Sequence, residues 1–135
     1  MGQAANACRR ALVVEDDDCL SELGAMMLEE FGLAVDQVGT AEAAIEHLRG
    51  WGGETAVVLI DIHLPGRMDG IALARSVSVL WPSITVIVTS GDPAYRADGM
   101  PDRALYVPKP WRALDIVAIA EHAARQDHSV MSVRL

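Results

Sequence analysis

Glu15 and Asp16 follow one apolar run of this chain, Asp61 follows a second, Thr89 ends a third, and Lys109 stands just beyond a fourth. The runs are Ala11-Leu12-Val13-Val14, Val57-Val58-Leu59-Ile60, Ile84-Thr85-Val86-Ile87-Val88 and Leu105-Tyr106-Val107. As parallel strands of one open sheet they would deliver three carboxylates, a hydroxyl and an amine to its carboxyl edge, where α/β sheets bind ligands. Two carboxylates ~4 Å apart repel by roughly 4 kcal/mol at an effective dielectric near 20. A cluster of three must therefore take up protons or bind a cation. Oxygen-only ligands with retained water suit Mg²⁺, which binds through one or two carboxylates together with a phosphate oxygen. Lys109, as a point charge, and Thr89, as a hydroxyl donor, would serve that phosphate. No GxxxxGK[ST] or GxGxxG sequence is present, which argues against a bound nucleotide. Asp61 as a carboxylate nucleophile forming an aspartyl phosphate is the economical choice that is left.

The elements that must position these groups can be read from periodicity. Residues 10–15 form a first strand, and Leu20, Leu23, Gly24, Met27, Leu28 and Phe31 recur at helical spacing up to a stop at Gly32. Asp17 or Asp18 is placed to cap that helix. Leu33 to Val38 alternates like a strand, and Thr40 caps a helix with Ala41, Ala44, Ile45 and Leu48 inward, ending at Gly50 before a Trp51-Gly52-Gly53 loop. Residues 56–60 are continuously apolar, as expected of a central strand covered on both faces. Pro65-Gly66 turns the chain, Asp69 or Gly70 opens a helix with Ile71, Ala74, Val77 and Leu80 inward, and Trp81-Pro82 closes it. A strand at 84–89, a Pro- and Gly-rich stretch at 90–103 with room for a short helix, a strand at 104–107 and a helix at 111–125 complete the pattern. Five strands alternating with helices imply right-handed crossovers and a parallel sheet with helices on both sides.

Length and composition bound the class. At 135 residues the chain suits one domain, burying roughly 70% of its unfolded surface. A formal net charge of -8 with no basic stripe argues against a nucleic-acid partner. No apolar stretch approaches the ~20 residues of a membrane span. Cys8 and Cys19 have no metal-like spacing and no secretion signal is evident, so a cytoplasmic protein with reduced thiols is expected. His47, His63, His122 and His128 read as surface residues, and Trp51, Trp81 and Trp111 as loop and helix-end anchors.

Leu12-Val13-Val14-Glu15-Asp16-Asp17, Leu59-Ile60-Asp61-Ile62-His63-Leu64-Pro65 with Asp69-Gly70, Val88-Thr89-Ser90-Gly91 and Tyr106-Val107-Pro108-Lys109-Pro110 together resemble the receiver domain of two-component response regulators. The four motifs occur in the family's order, and the resemblance spans roughly residues 9–125, leaving tails at 1–8 and 126–135. The resemblance implies a flavodoxin-like, doubly wound five-stranded parallel sheet in the order 2-1-3-4-5, here with a short or irregular fourth helix. It implies Asp61 as phosphoacceptor from a histidine kinase or histidine phosphotransfer protein. It also implies Mg²⁺ held by Asp16 directly, by Glu15 through water, by Asp61 and by the backbone carbonyl of His63. Lys109 would bind the phosphoryl group, in a Lys-Pro bond that is usually cis in the family. Thr89 and Tyr106 would form the switch pair, the hydroxyl moving to the phosphate while the ring turns inward.

The implied function is a stand-alone, phosphorylation-controlled binding module, not an enzyme beyond slow self-catalysed dephosphorylation, that alters contact with a downstream protein target. Two departures from the family stand out. The turn Pro65-Gly66-Arg67-Met68-Asp69 is about one residue longer than usual, and the Pro- and Gly-rich 90–103 segment weakens the case for dimerisation through that face, so a monomer or weak dimer is expected. A phosphorelay shuttle or phosphate sink is an alternative role. An aspartyl-phosphate phosphatase or phosphotransferase is disfavoured because His63 stands where its second acid belongs. A flavodoxin-like cofactor carrier lacks its phosphate loop after the first strand, and a receiver that signals without phosphate would not need the intact acids, Thr89 and Lys109.

Overall fold

The computed structural model describes residues 9–92 and 99–112, together with Asp115 and Ala118. Strands β1 (Arg10–Val14), β2 (Ala34–Val38), β3 (Thr55–Asp61), β4 (Thr85–Ser90) and β5 (Leu105–Pro108) form one parallel sheet in the order β2-β1-β3-β4-β5. Helices α1 (Asp18–Glu29), α2 (Ala41–Trp51) and α3 (Gly70–Leu80) connect the first four strands. The expected fourth helix, most of the last helix and both expected tails lie outside the described residues.

The alternation of side chains along each strand divides the core into two layers. Ala11, Val13, Val57, Leu59, Ile87 and Val107 pack with Leu28 of α1 and Trp111 on one face of the sheet. Leu12, Val14, Val58, Ile60, Val86 and Val88 pack with α2 and α3 on the other. Continuing the first series by two residues gives Glu15, Asp61, Thr89 and Lys109. The polar groups are thus the carboxyl-end extension of one apolar layer.

Caps explain where the helices begin. Asp17 accepts from the amide of Leu20 at 3.0 Å, Thr40 from Ala43 at 3.0 Å, and Asp69 from Ala72 at 2.8 Å. The α1 stripe differs from the expected one. Ser21, Gly24, Ala25 and Leu28 are buried, whereas Leu23 and Phe31 are exposed, because small residues let the helix lie close to the sheet. In α3, Leu73 is buried and Leu80 exposed, the inward row running through Val77 to Trp81 instead. Trp51 is the last residue of α2, and Gly52–Glu54 forms a 3-10 turn rather than an open loop. Gly52 is required there, since a β-carbon would collide with the indole of Trp81. At the amino end of the sheet Arg10 pairs with Asp36 and stacks 3.9 Å over the Trp51 ring, while His47 reaches the same Asp36 at 3.2 Å.

Candidate functional site

Four backbone features fix the site before any side chain is considered. The amide of Ile62, just after Asp61, donates to the carbonyl of Thr89 at 2.9 Å, and the amide of Lys109 donates to the carbonyl of Ser90 at 3.0 Å. The amide of Gly70 donates to the carbonyl of Ile62 at 3.0 Å, which draws the start of α3 against the end of β3. The Lys109-Pro110 bond is cis, as expected.

On this frame Glu15, Asp16 and Asp61 each present a carboxylate oxygen, all within 4.8 Å of one another. Lys109 Nζ donates to Glu15 Oε1 at 2.7 Å and to Asp61 Oδ2 at 3.1 Å. Asp61 Oδ1 accepts from the amide of His63 at 3.0 Å. Glu15 and Asp61 are buried, whereas Asp16 is exposed. The ammonium therefore bridges two carboxylates 46 positions apart in the chain, and the third faces solvent beside them.

Electrostatics follow from this packing. Burial pushes the Glu15 carboxyl above its ordinary value of 4.5, the bond from Lys109 opposes the shift, and neighbouring Asp61 reinforces it. Burial alone would lower Lys109, but its bond to Glu15 and the charge of Asp61 outweigh that and hold the ammonium above 10.5. One prediction concerns Glu15 itself. An acid raised on folding contributes stability that is present below pH 4.5 and is lost as pH rises through its folded value. Without divalent cations, Glu15→Gln removes that decline, so the urea-midpoint difference between variant and parent grows between pH 4.5 and 7.5. Parallel profiles would contradict the burial argument.

Oxygen-only donors, one at the surface and two buried, with a buried acid disfavoured as an anion, fit a hard divalent cation. The structure brings together Glu15, Asp16, Asp61 and Lys109. Thr89 sits beside Asp61 as its register partner in β4, but its hydroxyl accepts from the indole N–H of Trp111 at 2.8 Å. Tyr106 is the register partner of Val88, so its ring lies on the opposite face of the sheet from Thr89 and is 37% exposed.

Two participants escape the sequence reading. Trp111 is buried, bonded to Thr89 and 5.9 Å from Lys109 Nζ at its ring centre, which is more than a helix-end anchor. Trp111 lies beyond the end of β5 at Pro108 and after the cis Lys109-Pro110 bond, so strand alternation does not place it. Glu42 of α2 accepts from the amide of Met68 at 3.2 Å and lies against Gly66, whose φ is +101°, so it holds the lengthened turn after β3. No local pattern announces that contact, which spans 26 residues.

A five-stranded parallel sheet in this order, with an acid cluster, a threonine and a lysine at its carboxyl edge, defines a receiver class of signalling domain. A family model described as the response regulator receiver domain matches residues 11–121, and the chain belongs to that family. It is 31% identical over 121 residues to the sensor kinase CckA of Brucella abortus, a match covering 86% of this chain and 13% of that protein. It is 34% identical over 122 residues to the transcriptional regulatory protein AruR of Pseudomonas aeruginosa, covering 87% of this chain and 50% of that protein. The chain thus spans half or less of the length of these relatives. The fold is that of a receiver domain from Clostridium thermocellum, with a TM-score of 0.79, 21% identity and coverage of 90% of this chain and 98% of that one. Among the described residues, no helix is long and apolar enough to cross a membrane.

Proposed function

We propose that this chain is a phosphorylation-controlled signalling module in which Asp61 accepts a phosphoryl group from the phosphohistidine of a histidine kinase or histidine phosphotransfer protein. The observation that carries this reading is the bridging ammonium of Lys109, 2.7 Å from Glu15 and 3.1 Å from Asp61, inside a cluster of three carboxylates. A carboxylate oxygen of Asp61 attacks phosphorus, the P–N bond breaks, and the imidazole leaves with its electron pair and takes up a proton. Asp16, Asp61, the backbone carbonyl of His63 and, through water, Glu15 would hold Mg²⁺. Bound there, the cation neutralises charge on the phosphoryl oxygens. Lys109 would leave the acids for the incoming group, and Thr89 would donate its hydroxyl to it.

The product adds a charge of about -1.5 to -2 beside β4 and β5. Thr89 and Tyr106 are proposed to convert that charge into a new surface for a downstream protein target. Exposed Leu23 and Met26 on α1, beside Asp18, Cys19 and Glu22, line a shallow depression that supports docking of the phosphodonor near the acid cluster. The chain works as a binding module, its loss of phosphate being hydrolysis at its own site.

Incubation with acetyl phosphate and Mg²⁺ should add about 80 Da to the intact chain, and chelation of the cation should prevent it. An unchanged mass at saturating donor would remove the proposal. Glu15→Gln should still gain the adduct, with Mg²⁺ affinity lowered about tenfold, the effect expected for a group that orients the metal's ligands.

A further inference from the structure

We infer that Trp111 is a positioning residue for the Thr89 hydroxyl, its indole N–H holding that hydroxyl in place while Asp61 carries no phosphoryl group. The inference rests on the proposed phosphoryl-accepting role of Asp61.

An indole has one donor and no acceptor, and Trp111 gives that donor to Thr89 Oγ1 at 2.8 Å. Both partners are buried, Thr89 being 1% and Trp111 9% exposed. The ring is seated against Gly24 of α1, where a β-carbon would stand 3.2 Å from Cζ3 and 3.3 Å from Cη2, so the glycine makes the room that this large side chain occupies. The same ring lies 5.9 Å from Lys109 Nζ, within the range of a cation–π contact. Trp111 therefore touches two of the groups that a phosphoryl unit on Asp61 would attract.

The backbone of Thr89 is held by β3 and β5, so its hydroxyl can approach Asp61 chiefly by side-chain rotation. Threonine is branched at Cβ and occupies few discrete rotamers, which makes such a movement a jump rather than a drift. A jump that carries Oγ1 to a phosphoryl oxygen takes the acceptor away from the indole N–H. Leaving a buried donor without its partner is the costly case in hydrogen-bond energetics. Trp111 thus favours the unphosphorylated arrangement. A phenylalanine in this seat would fill space without that bias.

The test uses the full chain with beryllofluoride and Mg²⁺ as the phosphoryl mimic. Trp111→Phe should bind the mimic about five- to tenfold more tightly than the parent, as expected when a buried hydrogen bond no longer has to be given up. A merely structural role would lower stability and leave this affinity unchanged or weaker, which would overturn the inference. The unsubstituted protein supplies a second readout that does not depend on how the variant folds. Its Trp111 indole N–H resonance, assigned by elimination with Trp51→Phe and Trp81→Phe, should exchange slowly with solvent in the free protein, then shift and exchange faster at saturating mimic. An unmoved resonance in a protein that does bind the mimic overturns the tether alone. A parent protein that neither binds the mimic nor gains mass from acetyl phosphate overturns the proposed function and the tether with it.

Discussion

Asp61→Asn gains no phosphoryl adduct from acetyl phosphate and Mg²⁺, and it does so while remaining folded. The substitution preserves side-chain shape and an oxygen to accept from the His63 amide, a bond of 3.0 Å in the parent. What it removes is the nucleophile, because an amide in place of the carboxylate offers no anionic oxygen to attack phosphorus. Unfolding cannot account for the loss. Three carboxylates lie within 4.8 Å of one another, so deleting one negative charge relieves repulsion, and Lys109 keeps its 2.7 Å bond to Glu15. Thermal stability without divalent cations should be unchanged or raised by about 1 kcal/mol. Intact-mass measurement paired with a melting curve checks both parts. A folded Asp61→Asn protein that still gains about 80 Da would relocate the acceptor.

Gly70→Ala should destabilise the fold by about 3 kcal/mol, the upper end of the usual overpacking cost, because the groups it meets cannot move aside. A β-carbon at this position would overlap the carbonyl oxygen of Asp61 and stand 2.6 Å from the Cα of Ile62. Those are backbone atoms of β3, so no rotamer change relieves the clash. Relief requires α3 to withdraw from the strand, which would break the Gly70-to-Ile62 bond and displace Asp61. Phosphoryl uptake should therefore slow together with the loss of stability. Gly50→Ala is the matched control: the position lies in α2 with nothing within 4 Å of the added carbon, and alanine there should stabilise by about 0.5–1 kcal/mol. Urea unfolding of the two variants decides the comparison. Equal, small effects would mean that the close approach at Gly70 is not a constraint.

These two glycines illustrate which parts of the architecture are legible in one dimension. Strand identity and parallel pairing follow from the apolar runs and their crossover connections, since a strand buried on both faces has little latitude in composition, whereas the strand order came from the resemblance to the receiver family. Cap residues Asp17, Thr40 and Asp69 are equally readable, because a capping side chain bonds to an amide only three residues away. The rotation of a helix is harder to read. Leu23 looks inward by spacing but is exposed, because Ser21, Gly24 and Ala25 allow a closer approach on a neighbouring stripe, and because Trp111 needs the room that Gly24 leaves. That reason lies 87 positions further along the chain.

The chemistry is legible in its membership and not in its connections. Residue types at strand ends name Glu15, Asp16, Asp61, Thr89 and Lys109. They do not tell that Lys109 bridges Glu15 and Asp61, that Thr89 is held by Trp111, or that Glu42 anchors the turn after β3. Each of these contacts joins segments more than 20 residues apart, where geometry rather than local spacing decides the partner. Tyr106 shows the same limit. Its register with Val88 puts the ring on the face opposite Thr89, a placement that its position in the sequence does not announce.

Borohydride reduction of the chain after exposure to acetyl phosphate and Mg²⁺, followed by fragment sequencing in a mass spectrometer, locates the acceptor directly. An acyl phosphate on aspartate is reduced to the corresponding alcohol, so that residue loses one oxygen and gains two hydrogens. The mark is predicted at position 61 alone and is absent when the donor or the cation is withheld. A mark at Glu15 or Asp16, or no mark in a protein that has gained the phosphoryl mass, would contradict the assignment of Asp61.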